Sequence, residues 1–274
     1  MGLQMEEIKY LDMENATLRL QLDSIEEYRQ FFKQHFVALA ALNFKRIYVK
    51  IFSKDLKDMI NILRTVRLPL IIETDSSEDI KFDIPDGIIV ININSNLQIN
   101  KNNVYNQVIL NEFNLEKLIE LINNNINVIV EPEVDVKNIF KINDCLNTLF
   151  HRVPKKLLNI GNYIVPTSLL KEHPCNCYLC DGWKCHKKIS GLPKVILIDK
   201  NYNLYPHMIA NKDLCMGNIK DNNFQKVLLD YLNSKEYERF VKCCKKVFIE
   251  YLPNYPFQYF PVAEYIKEVA NEIQ

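Results

Sequence analysis

The sequence predicts an α/β protein built on a mostly parallel sheet. Three observations support this. Strand-like and helix-like segments alternate up to about residue 160. Several strand-like segments are almost continuously apolar, as in strands covered on both faces. The helix-like segments repeat apolar residues at i, i+3, i+4 and i+7. Strands that alternate with helices join as right-handed βαβ units. Such a sheet is either doubly wound or curved into part of a barrel, and periodicity does not choose between the two.

Thr17 to Leu22 reads as the first strand. Ser24 then opens a helix, because Ser24 and Glu27 have the capping-box spacing that satisfies two amide donors of the first turn. Tyr28, Phe31, Phe32, Phe36 and Leu39 form its apolar stripe, and His35 reads as a packing residue. From Arg46 to Phe52 the pattern alternates, with Ile47, Val49 and Ile51 on one side. Ser53 is placed to cap a second helix, striped by Leu56, Met59, Ile60 and Leu63. Leu70 to Glu73, Gly87 to Ile93, Gln107 to Asn111 and Asn127 to Glu131 complete about six strands. One helix runs through Leu115, Leu118, Ile119 and Ile122, and another from about Val136 to Phe150. Further on, Val195 to Asp199 and Leu204 to His207 read as a hairpin around a turn at Lys200 to Asn203. Three amphipathic helices follow, striped by Phe224, Val227, Leu228 and Tyr231, then Tyr237, Phe240, Val241 and Cys244, then Val262, Tyr265, Ile266 and Val269.

Composition narrows the function classes. The chain has 274 residues, 48% of them hydrophobic, enough for a sizeable core. Lysine plus arginine equals aspartate plus glutamate, so the formal net charge is zero and no basic footprint for nucleic acid is expected. No run of ~18 apolar residues exists and residues 1–12 have no apolar signal core, so the expectation is a cytoplasmic protein without a membrane partner. Only six glycines occur and none forms a phosphate-cradling loop.

Eight cysteines in such a chain point to thiols or metal ligands more than to disulfides. Cys175, Cys177, Cys180 and Cys185 fall within eleven residues. Four thiolates so close can surround zinc or a [4Fe-4S] cluster, with little loop entropy lost on closing the site. They can equally pack without metal as small apolar side chains. Cys215, Cys243 and Cys244 are more distant candidate ligands, although adjacent cysteines on a helix point about 100° apart. His207 and His186 are possible further ligands, and Cys145 reads as core. Two carboxylate groups end strands, Glu131, Glu133 and Asp135 on one and Glu73 and Asp75 on another. The carboxyl edge is where sites form in parallel sheets, although a solvated loop is the simpler reading.

The order of elements resembles that of a radical SAM protein with a SPASM or twitch extension. Leu18-Arg19-Leu20-Gln21-Leu22 is similar to that family's first barrel strand. The strongest likeness lies in residues 195–244: Ile196-Leu197-Ile198-Asp199, Leu204-Tyr205-Pro206-His207, Met216-Gly217-Asn218-Ile219, an amphipathic helix, and Cys243-Cys244. Active members follow the first strand with a CxxxCxxC loop whose cluster cleaves S-adenosylmethionine. Here the strand leads through Asp23 into Ser24 and its helix, and no cysteine precedes Cys145. The hairpin cysteine of the pattern is His207, and its turn glycine is replaced.

The resemblance implies a partial (βα)6-type barrel over residues 1–165. Over residues 166–274 it implies a small cysteine-containing domain of β-hairpin and helices. It implies no radical SAM catalysis. The expected role is that of an accessory protein in ribosomal peptide maturation, binding a precursor peptide or an active radical SAM partner. Two alternatives stand beside it: an iron–sulfur redox protein or enzyme with an auxiliary cluster on the C-terminal cysteines, and a zinc-stabilised α/β binding protein. The aromatic stretch from Tyr251 to Phe260 reads either as a docking surface or as a connector packed on the core.

Overall fold

Leu18 and Leu20 alternate with Arg19 in β1 (Thr17–Leu20), the strand around which the chain assembles. The strands that follow are β2 (Arg46–Ile51), β3 (Leu70–Thr74), β4 (Ile88–Asn92), β5 (Val104–Leu110), β6 (Val128–Pro132), β7 (Asn159–Ile160), β8 (Val165–Pro166), β9 (Val195–Ile198), β10 (Asn203–Tyr205), β11 (Gly217–Asn218) and β12 (Tyr259–Phe260). The helices are α1 (Ile25–Leu42), α2 (Leu56–Leu63), α3 (Leu115–Asn123), α4 (Ile139–Arg152), α5 (Phe224–Leu232), α6 (Lys235–Lys246) and α7 (Val262–Glu272). This computed structural model describes residues 16–51, 56–64, 69–75, 80, 82–94, 98–133, 138–153, 159–160, 165–166, 171, 195–206, 210–257 and 259–273.

Among the described residues, ten strands form one sheet in the order β11-β10-β9-β1-β2-β3-β4-β5-β6-β7. From β9 through β7 all neighbours are parallel, and β10 and β11 add antiparallel at one end. The protein is therefore a mixed α/β fold with a mostly parallel sheet. The hairpin of the C-terminal segment extends the same sheet: β9 pairs with β1 in register Leu18↔Ile196 and Leu20↔Ile198.

Side chains alternate across a strand, so each strand offers one set of residues to each face. Leu18, Leu20, Ile47, Val49, Ile51, Leu70, Ile72, Ile88, Val90, Ile196 and Ile198 share a core with the apolar stripes of α1, α2 and α5. Leu110, Val128 and Val130 continue that face beneath α3 and α4. Helices α1 to α5 thus all cover one face. A third core joins the first turn of α4 to α6, α7 and the segment between them.

Two sequence expectations need adjustment, and one open alternative is narrowed. Phe36 does not belong to the buried stripe of α1. Tyr28, Phe31, Phe32, His35, Leu39 and Leu42 do, and Phe36 is 45% exposed because it lies about 100° around the helix from His35. The alternation of strand and helix lapses twice, since the described residues between β3 and β4 and between β4 and β5 contain no helix. Ile80, Phe82, Ile84 and Ile99 from those connections pack on the first core in place of a helix. Asparagines dominate the second connection, and their amides compete with backbone hydrogen bonds, which favours irregular structure. Within the stretch from Tyr251 to Phe260, Leu252, Tyr255 and Phe260 are buried, with Phe260 stacked on Tyr265 at 4.9 Å, so these residues pack on the core.

Candidate functional site

The second face of the sheet presents Arg19, Tyr48, Lys50, Ile71, Glu73, Ile89, Ile91, Tyr105, Gln107, Ile109, Ile129 and Glu131, none of which belongs to the cores under α1 to α5. Apolar residues form its floor and charge gathers toward the carboxyl edge. The register sets Arg19 beside Tyr48 and Lys50 beside Glu73. The Glu73 carboxylate is buried and fully engaged. Arg19 Nη2 reaches Oε2 at 3.0 Å, Lys50 Nζ reaches Oε1 at 3.2 Å, and the Tyr48 hydroxyl donates to Oε2 at 2.7 Å. The Arg19 guanidinium also lies 4.4 Å from the centre of the Tyr48 ring, a cation–π contact. A buried charge is costly unless paired and hydrogen-bonded, and here one carboxylate is shared by two cations, which leaves the group with one net positive charge. With both oxygens engaged, Glu73 holds β1, β2 and β3 together.

Glu131, on β6, behaves differently. It is half-buried and has no hydrogen-bond partner among the described residues. Burial pushes its carboxyl up to about 8, with the Glu73 charge adding to the rise and the Arg19 charge opposing it. At neutral pH it is mostly protonated, so it can donate a proton or a hydrogen bond.

Two clefts open at this edge and share Lys50. The larger, about 530 Å³, lies along β3 to β5 and α3 and includes Lys50, Glu73, Gln98, Gln107, Ile109 and Lys117. The smaller, about 210 Å³, is lined by Gln21, Leu22, Asp23, Lys50, Asp199 and Lys200. It sits where the chain order reverses, with β2 on one side of β1 and β9 on the other, the position at which open α/β sheets bind ligands.

Between β1 and α1 the chain turns in four residues, Gln21 to Ser24. The predicted capping box is present: Ser24 Oγ accepts from the Glu27 amide at 3.3 Å, and the Glu27 carboxylate accepts from the Ser24 amide at 3.1 Å. The Tyr28 hydroxyl accepts from the Leu22 amide at 3.1 Å and donates toward the carbonyls of Leu20 and Lys50, tying α1 to the ends of β1 and β2.

The candidate metal ligands are not gathered by the described residues. Cys175, Cys177, Cys180, Cys185, His186 and His207 lie outside them. Cys243 and Cys244 are buried in the third core, and Cys215 is half-buried with its thiol against the Gly217 carbonyl at 3.7 Å. Burial pushes the Cys215 and Cys243 thiols up, which keeps them protonated. Among the described residues no three His, Cys, Asp or Glu side chains are grouped to hold a metal ion. Cys145 and His35 are buried packing residues. Of the strand-end carboxylates, Glu73 and Glu131 reach the second face, Glu133 accepts from Asn111 Nδ2 at 3.0 Å, and Asp135 lies outside the described residues. Sequence reading passed over Arg19, Tyr48 and Lys50. The available signal was a charged residue alternating with buried aliphatic ones, as in Leu18-Arg19-Leu20 and Val49-Lys50-Ile51, since a charge on a strand needs a partner on the same face.

No helix among the described residues is long and apolar enough to cross a membrane. No protein-family model, no curated protein and no solved structure matches this chain.

Proposed function

We propose that this chain is a non-catalytic, radical-SAM-like accessory protein of cytoplasmic peptide maturation. On this reading it holds a precursor peptide, for delivery to an active radical SAM partner, against the second face of its sheet. The observation that carries the reading is the junction of β1 and α1. Where the resemblance calls for a CxxxCxxC loop, the chain has Gln21-Leu22-Asp23-Ser24, closed by the capping box and the Tyr28 hydroxyl. The carboxyl edge beside that junction nevertheless keeps two clefts, next to the apolar floor of the second face, the equipment for binding.

A sheet curved as a partial (βα)6 barrel belongs to the same proposal, and two features support it. Strands β1 to β6 follow one another in chain order with their helices on one face, the winding of a barrel. The Arg19 charge also acts on Glu131. In a flat sheet β1 and β6 would stand ~24 Å apart, several times the ~4–6 Å over which a neighbouring charge shifts a carboxyl strongly.

The test is selection from a displayed library of random peptides, run against this chain and against Gln107→Trp, which fills the larger cleft. Enrichment that depends on the open cleft is expected. Identical outcomes on the two proteins, or no enrichment, overturn the peptide reading. The run from Cys175 to Cys185 has the donor set for a metal, and metal analysis of anaerobically purified protein separates the cases. About four irons per chain favours the iron–sulfur redox alternative, about one zinc favours a structural site, and no metal ends the ligand reading of these cysteines.

A further inference from the structure

The chain is neutral overall, but the larger cleft is not. Its charged lining residues are Lys50, Lys117 and Glu73, and Arg19 stands behind Glu73. Three cations therefore face one carboxylate, whose oxygens are already taken by Arg19, Lys50 and Tyr48. Lys117, on the exposed side of α3, has no partner among the described residues. Nor have the side-chain amides of Gln98 and Gln107, which line the same cleft. Ile93, Val108 and Leu121 add apolar lining, and half-exposed Ile109 lines the cleft beside them.

We infer that this cleft takes an extended, acidic segment of a peptide. Side-chain carboxylates of the segment pair with Lys117 and with the exposed flank of Lys50, its backbone meets the Gln98 and Gln107 amides, and an apolar side chain rests on Ile109. This rests on the peptide-binding reading above and specifies the chemistry of the peptide. The volume, about 530 Å³, suits a ligand of several residues and exceeds what a single free amino acid would fill. The partners are spread over β2, the connection before β5, β5 itself and α3, so a short chain can span them and a single carboxylate cannot. The smaller cleft, with Asp23 and Asp199 against Lys50 and Lys200, has no such bias.

The test is titration calorimetry with an acetylated, amidated Glu-Leu-Glu-Leu peptide, its Gln-Leu-Gln-Leu counterpart and free glutamate. The acidic peptide is expected to bind roughly five- to ten-fold tighter than the glutamine peptide, the size of two solvent-exposed ion pairs. The preference should fade in ~0.5 M salt, where the screening length is a few ångströms. Lys117→Glu is expected to abolish it with an unchanged melting temperature, since that exposed lysine makes no hydrogen bond or ion pair among the described residues. Equal binding of the two peptides, a preference that survives in Lys117→Glu, glutamate binding as tightly as the peptide, or no binding at all overturns the inference. Equal binding leaves the peptide reading intact, and the library selection judges that reading independently of any of these results.

Discussion

Glu73 and Glu131 share one face of the sheet and have opposite fates. Glu73 is held by Arg19, Lys50 and Tyr48. Removing one partner of a buried pair leaves the others with uncompensated charge, so Glu73→Gln should cost about 3–5 kcal/mol, read as a lower urea midpoint with an unchanged slope. Glu131 has no hydrogen-bond partner among the described residues, and burial, reinforced by the Glu73 charge and opposed by that of Arg19, pushes its carboxyl up to about 8 from an ordinary value of ~4.3. Between those two pH values the folded chain keeps a proton that the unfolded chain has released. The Glu131 contribution is therefore fully present below ~4.3, is lost as pH rises through the window, and is gone above about 8. Glu131→Gln should accordingly gain stability relative to the parent between pH 5 and pH 9, by up to about 4 kcal/mol. Urea titrations of both proteins at the two pH values measure it, and a constant difference would refute the assignment. His35 works against low pH instead. Burial between Phe31 and Phe224 lowers its basicity, so protonation of the unfolded chain favours unfolding as pH falls below ~6.5. Comparing Glu131→Gln with its parent cancels that effect.

Local patterns fixed the elements where one residue type could satisfy one geometry. The Ser24–Glu27 box set the start of α1, and Asn43, left-handed at φ 53°, ends it. In the β9–β10 hairpin the left-handed position belongs to Tyr202, at φ 64°. Asp199 compensates by accepting from the Asn201 and Asn203 amides, each at 2.9 Å. Gly217 in β11 has no such latitude. Its φ is +135°, and a Cβ there would meet Val227 Cγ1 of α5 at 2.9 Å. Gly217→Ala should destabilise by about 1–3 kcal/mol in thermal melts, and adding Val227→Ala should not restore the parent, because the clash is relieved while the backbone strain stays. The lapses of helix between β3, β4 and β5 were less legible. Apolar residues in those connections are too few for a stripe, and what they pack on is a core that the local sequence does not describe.

At the scale of the molecule, the end of the chain completes its beginning. Strand β9 covers the free edge of β1, and Ile196, Ile198, Leu204, Phe224, Leu228 and Tyr231 are buried in the same core as Leu18 and Leu20. At ~1.5–3 kcal/mol for each buried side chain, those six contribute on the order of 10 kcal/mol, comparable with the whole stability of a typical domain. A fragment ending at residue 166 should therefore not fold alone, and its amide proton spectrum should lack the dispersion of a folded sheet. A dispersed spectrum would show that the N-terminal segment has a self-sufficient core.

The sequence by itself determined the α/β class, most strand and helix positions, the capping box, the packing roles of His35 and Cys145, and the lack of a cysteine before Cys145. Each of these depends on neighbours a few residues away, which is the range over which hydrogen-bonding and hydrophobic periodicity act. Only the tertiary structure decided that β9 lies against β1, that Cys243 and Cys244 are core, and that Arg19, Tyr48, Lys50, Glu73 and Glu131 share a face. Arg19 and Glu73 are 54 positions apart, and their pairing follows from strand order and register, which are set by how the whole chain buries its apolar surface.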